Sequence, residues 1–194
     1  MKKPVFHLWG ATKDLPAADG PFLVVDIGGG STEFVFGTET VEAAKSVNIG
    51  CVRMSERHFT GDLPDPGQVA AATEDIDEAI AQAAKLVPIT TAKTLIAVAG
   101  TATTVAAAAL DLPEYDRYAI HLSQISAEKV HQVSQSLIKM TRTQRESLGY
   151  MHPGRVDVIS AGSLVLSRIM RATGAAEFVA SESDILDGMA WSLV

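Results

Sequence analysis

Val24-Val25-Asp26-Ile27-Gly28-Gly29-Gly30-Ser31-Thr32-Glu33-Phe34-Val35-Phe36 passes from an apolar run ending in a carboxylate, through three glycines and two hydroxyls, to a second carboxylate that opens another apolar run. Consecutive glycines let the backbone take φ values barred to other residues and let a ligand approach the main chain. Successive N–H groups exposed in such a turn form a concave anion site. Carboxylates on both shoulders suit a hard divalent cation or the orientation of a water molecule. A plain wide hairpin turn also uses glycines, but needs neither the two acids nor the Ser-Thr pair. A Walker loop needs a lysine before its hydroxyl residue, and Gly30 stands there. A dinucleotide-binding turn should open a helix, whereas Glu33-Phe34-Val35-Phe36-Gly37 alternates like a strand. The loop is therefore read as a phosphate loop between two strands.

Outward from it, Phe22–Asp26 and Glu33–Gly37 make a hairpin. Val41–Ile49 adds a third strand, with Val41, Ala43, Val47 and Ile49 on one face. Upstream, Val5–Trp9 fits either a short strand or the tail of a helix, and Lys13–Pro21 is a polar connector. Residues 1–20 are thus expected to form an arm, and 21–194 the domain. Downstream, Asp65-Pro66 caps a helix running to about Val87, and Thr94–Ala99 is an apolar strand. Gly100-Thr101-Ala102-Thr103-Thr104 reads as a second small-residue turn, leading into an Ala-rich helix over Val105–Leu110. Helices follow over Ser126–Met140 and Pro153–Ala172, the latter stopped by Gly174 at C′. Ala176–Ala180 is a last strand, and Ser183 or Asp184 caps a final helix. The order βββαβαβα predicts an α/β mixed sheet with helices on both faces and the later strands parallel to the first. That is the ribonuclease-H-like half-domain used in actin-like ATPases.

Composition narrows the function. At 194 residues, with 47% hydrophobic and 20% charged, the chain reads as one globular domain. No window approaches the roughly 18 uninterrupted apolar residues of a membrane span, so no membrane partner is expected. The single Cys51 excludes an internal disulfide, which fits a reducing cytoplasm, and it reads as a small buried residue rather than a nucleophile. A net charge of −7 without a basic run argues against a nucleic-acid partner. It leaves open small anions held by main-chain N–H groups.

With both loops placed, the chain resembles the exopolyphosphatase / guanosine-pentaphosphate phosphohydrolase (Ppx/GppA) phosphatase family of the actin-like superfamily. Asp26–Glu33 is similar to that family's second phosphate loop, and Ala99–Thr104 to its second small-residue loop, the counterpart of the adenosine loop in related kinases. Ile49-Gly50-Cys51-Val52-Arg53, Gly154–Ile159 and Ser181–Gly188 resemble further family segments, although Leu186-Asp187 stands where an Arg-Glu pair is common. The resemblance implies a first lobe carrying its own Asp-x-Gly-Ser loop, and a water-activating glutamate just before the equivalent of Phe6–Gly10, where this chain has Met1-Lys2-Lys3-Pro4. Neither is found in these residues, so this chain is expected to be the C-terminal half of a catalytic core, inactive alone and prone to self-association.

The resemblance also implies roles. The N–H groups of Gly28, Gly29 and Gly30 and the hydroxyls of Ser31 and Thr32 would hold phosphoryl oxygens. Asp26 would hold Mg²⁺, and Glu33 would be a second metal-side or water-positioning carboxylate. Gly100, Thr101 and Thr103 would contact further phosphates or a nucleotide, unless they simply cap a helix. Arg53 and Arg155 are candidate phosphate ligands, although Arg155 has Asp157 nearby as an alternative partner. The five histidines lack metal-ligand spacing and read as surface or capping residues. The implied activity is Mg²⁺-dependent release of terminal phosphate from polyphosphate or guanosine pentaphosphate. A kinase-like ATP-binding half-domain and a non-catalytic assembly module are the alternatives.

Overall fold

A computed structural model describes residues 3–183. In chain order it holds α1 (Lys3–Thr12), β1 (Phe22–Ile27), β2 (Thr32–Gly37), β3 (Val41–Val47), α2 (Cys51–His58), α3 (Pro66–Ala84) and β4 (Thr94–Val98). There follow α4 (Ala99–Ala109), α5 (Arg117–Ile120), β5 (Gln124–Ser126), α6 (Ala127–Lys139), α7 (Arg142–Glu146), α8 (Ile159–Thr173) and β6 (Glu177–Ala180). The helix expected after Ser183 or Asp184 lies outside the described residues.

The strands form one sheet in the order β3-β2-β1-β4-β6-β5. β1 and β2 pair antiparallel from Phe22↔Gly37 to Ile27↔Thr32, which sets Asp26 directly opposite Glu33. β4 runs parallel to β1, and β6 parallel to β4. This is the expected mixed α/β sheet of the ribonuclease-H-like fold, covered on both faces. Leu23, Val25, Phe34, Leu95 and Phe178 point to one face, where α3, α4, α6 and α8 build the main core. Phe22, Val24, Val35, Ile96 and Val98 point to the other, where α1 supplies Leu8 and Ala11. Burying Leu8 alone contributes about 1.5–3 kcal/mol. Val5–Trp9 lies within α1, so of the two readings the helix holds, and α1, within the expected arm, covers one face of the sheet.

Several elements differ from the sequence expectation, each for a physical reason. α2 buries only Met54, so no apolar stripe announces it. β5 is a three-residue edge strand antiparallel to β6, too short to show alternation. Gly100–Thr104 is not a turn: α4 starts at Ala99, and its small residues let it sink against sheet and helices. The segment from Pro153 begins as a 3-10 turn over Pro153–Arg155, and α8 starts only at Ile159. Its end is as read, with Gly174 at φ 69°. In β3, Gly37 pairs with Val41 and Phe36 with Ala43, so Glu42 is an inserted bulge residue. The bulge separates side chains expected on one face: Val41 packs beside α1, and Ala43 on the opposite core.

Candidate active site

The glycine loop is fixed from one side by α2. Gly28 N–H donates to Ser31 O at 3.0 Å and closes the turn. The Gly28 carbonyl accepts from Cys51 N–H (2.9 Å) and the Gly29 carbonyl from Arg53 N–H (3.0 Å). The Gly30 carbonyl accepts from Arg53 Nε at 2.7 Å. In a planar trans peptide, the C=O of one residue and the N–H of the next point opposite ways. Drawing three successive carbonyls toward α2 therefore turns the N–H groups of Gly29, Gly30 and Ser31 away from it. None of these three meets a hydrogen-bond acceptor among the described residues.

The fit is close because Gly50 lets the two backbones touch. A Cβ there would stand 2.3 Å from Gly29 O and 2.5 Å from Gly30 N. Thr32 is fully buried, and its hydroxyl donates to Ile49 O at 2.9 Å, tying the loop to the start of α2. Three of the expected phosphate donors are thus already engaged within the hairpin: the Gly28 amide, the Thr32 hydroxyl and the Ser31 hydroxyl, whose one proton goes to Glu33.

Asp26 and Glu33 are cross-strand partners, so both side chains project from the α1 face of the sheet. Glu33 Oε1 accepts from Ser31 Oγ and from Ser46 Oγ, both at 2.7 Å. Asp26 is 13% exposed, with His7 Nδ1 at 3.2 Å from its Oδ2. A cavity of about 520 Å³ opens beside Glu33, walled by Pro4 and His7 of α1 and by Lys45 and Ser46 of β3; Asp26 borders it only through His7. No three His, Cys, Asp or Glu side chains converge as a complete cage among the described residues. Two carboxylate oxygens on one face nevertheless fit Mg²⁺, which keeps several waters and takes substrate oxygens as further ligands.

The second loop is built differently. Ala99 links β4 to α4 at φ 67°, a left-handed conformation that costs a non-glycine residue free energy. Ala99→Val is expected to destabilise the chain by about 1–3 kcal/mol, because β-branching makes that conformation worse. Ala99→Gly should be tolerated; urea midpoints of the two variants check the contrast. Arg155 lies flat across Gly100, where a Cβ would come within 2.3–2.4 Å of its guanidinium. Its Nη1 donates to Thr104 Oγ1 at 2.9 Å, and its cation stands 5.9 Å from the centre of the Tyr115 ring. Burial, and then the Glu182 carboxylate that accepts from the Tyr115 hydroxyl at 2.5 Å, raise the pKa of that tyrosine. Burial likewise raises the Cys51 thiol, despite a hydrogen bond with Thr101.

The sequence-selected residues therefore fall into three groups. Gly29, Gly30, Ser31 and Arg53 gather at the loop, with Asp26 and Glu33 on the α1 face. Gly100 and Arg155 pack together at the start of α4. Thr101 and Thr103 are 4% and 3% exposed, which withdraws their hydroxyls from an open cleft. Arg155 is not partnered by Asp157, whose carboxylate accepts from Arg142 Nε at 2.9 Å. Among the histidines, His152 caps the 3-10 turn and His58 pairs with Asp75. His7 is the exception to the surface reading, at 5% exposure. Its only advance signal is its position between apolar neighbours on what proves to be α1. Ser46 and Tyr115 had none.

These features can be set beside known proteins. A model of the Ppx/GppA phosphatase family matches residues 7–194. Exopolyphosphatase 2 of Mycobacterium tuberculosis is 44% identical over 188 residues, covering 95% of this chain and 59% of that protein. This chain thus spans about three-fifths of that curated relative. The crystal structure of an exopolyphosphatase-like protein superposes with TM-score 0.96 at 38% identity, over 99% of this chain and 66% of that one. The Ppx/GppA family member of Aquifex aeolicus shares the fold, with TM-score 0.87 at 24% identity, over 98% of this chain and 61% of that one. With the match running almost from end to end, the chain belongs to the Ppx/GppA phosphatase family.

Proposed function

We propose that this chain is the phosphate-gripping half of a Mg²⁺-dependent phosphoanhydride hydrolase that releases terminal phosphate from polyphosphate or guanosine pentaphosphate. The observation that carries the reading is the set of three N–H groups, of Gly29, Gly30 and Ser31, turned one way by the anchoring of the preceding carbonyls. Donors aimed where negative charge develops stabilise an in-line phosphoryl transfer without reorganising. Arg53, whose Nε braces the loop at Gly30 O, adds positive charge beside it. Asp26 and Glu33 would hold Mg²⁺, which supplies neutralisation of the phosphoryl oxygens. Ser31 and Ser46 keep the Glu33 carboxylate in one orientation.

The base that activates water would come from a first lobe joined ahead of α1. The isolated chain would then bind substrate, turn over slowly if at all, and associate with itself. A cytoplasmic setting suits the polyphosphate and nucleotide substrates. Arg155 across Gly100 occupies the start of α4, where a kinase of this fold would admit adenosine. That favours phosphohydrolase over the ATP-binding alternative.

Calorimetric titration of this chain with tripolyphosphate, with Mg²⁺ or with EDTA, tests the proposal. Tripolyphosphate is expected to bind only with Mg²⁺, and ATP more weakly. Tighter binding of ATP would favour the kinase-like reading, and binding unchanged by EDTA would remove Asp26 and Glu33 as cation ligands.

A further inference from the structure

Among the described residues, His7 Nδ1 is the one buried side-chain nitrogen or oxygen without a hydrogen-bond partner. It lies 3.2 Å from Asp26 Oδ2, within reach but out of line for a bond. Buried polar atoms almost always find partners. The terminal torsion of an aspartate is broad and soft, so a modest rotation would align the pair. The two site carboxylates also differ in their support. Glu33 is held by the hydroxyls of Ser31 and Ser46, whereas His7 is the side chain that reaches Asp26.

We propose that His7 is the positioning residue for Asp26. With its proton on Nδ1 it donates to Oδ2, fixes the carboxylate plane and leaves Oδ1 to face a cation. The role given to Asp26 rests on the phosphate-gripping reading above; the bond itself does not. Outer partners of this kind matter because a ligand that is free to rotate must be ordered when the ion binds. The donor comes from α1, a helix outside the strand hairpin that bears the carboxylates.

Two measurements on the whole chain decide the matter. Nitrogen-15 spectra of the imidazole, recorded without metal, are expected to show the Nδ1–H tautomer of His7, with a shift that Asp26→Asn displaces. A proton on Nε2 instead would overturn the proposal, whatever the chain binds. In Mg²⁺ titrations with tripolyphosphate present, His7→Leu is expected to weaken the apparent Mg²⁺ affinity by about 10–100-fold. His7→Asn, whose side-chain amide offers a donor near the position of Nδ1, should restore most of it. Thermal unfolding would verify that both variants fold. Folded variants that bind Mg²⁺ as the native chain does would reduce His7 to a packing residue and end the proposal. If the native chain shows no Mg²⁺-dependent binding at all, Asp26 is no cation ligand and His7 has none to position, while the tautomer still reports whether the bond exists.

Discussion

Replacing Asp26 by Asn is expected to lower the Mg²⁺-supported affinity of this chain for tripolyphosphate by on the order of 100-fold. The substitution keeps shape and removes one of two negative charges. β1 keeps its backbone pairing with β2 and β4, so the fold should persist. In a protein that joins the chain to its first lobe, phosphate release should fall further, by about 10²–10³-fold, since charge neutralisation is needed most in the transition state. Glu33→Gln should cost less, because its amide carbonyl can still accept from Ser31 and Ser46. Calorimetry and phosphate release read the two effects, and circular dichroism reports the fold. Tripolyphosphate binding by Asp26→Asn equal to that of the native chain would remove the aspartate from the site.

Gly50→Ala should do comparable damage by another route. The added methyl would stand 2.3 Å from Gly29 O and 2.4 Å from the Gly29 carbonyl carbon. Both are backbone atoms, and no rotamer change relieves such a clash. The glycine loop and the start of α2 must separate, breaking the bonds from Cys51 and Arg53 that orient the loop. Overpacking of this kind costs about 1–3 kcal/mol, equivalent to a melting temperature lower by roughly 2–12 °C for a chain of this size. Anion affinity should fall with it, since the three amides lose their common direction. Gly100→Ala makes the instructive contrast. Its methyl would meet the far end of Arg155, a flexible side chain that can swing away. A milder change in melting temperature is expected there, read by the same thermal scan. Equal losses for the two variants would contradict the anchoring described here.

Features read from adjacent residues survived the passage to three dimensions. Asp26, the glycines and Glu33 lie within one hairpin, so their spacing already fixes which side chains oppose one another. The parallel strands β4 and β6 were legible as apolar runs between helical patterns. What stayed hidden depends on contacts between distant parts of the chain. The Thr32 hydroxyl looks like a ligand donor until Ile49 O is seen beside it. Thr101 and Thr103 look like loop donors until α4 is found to begin at Ala99 and sink into the core. His7 reaches Asp26 only because α1 crosses the second face of the sheet. The Glu42 bulge, which divides Val41 from Ala43, leaves no trace in hydrophobic alternation.

The contact between α2 and the glycine loop has an electrical side. The amides at the start of a helix carry its partial positive charge. Those of Cys51 and Arg53 are capped by the Gly28 and Gly29 carbonyls instead of facing the cleft. A hydrogen bond accepted at one end of a peptide group strengthens the donor at its other end. The dipole of α2 is thereby relayed through two peptide planes and re-emerges on the Gly29 and Gly30 N–H groups. An anion held at the loop, as proposed above, would feel the field of a helix that it need not touch.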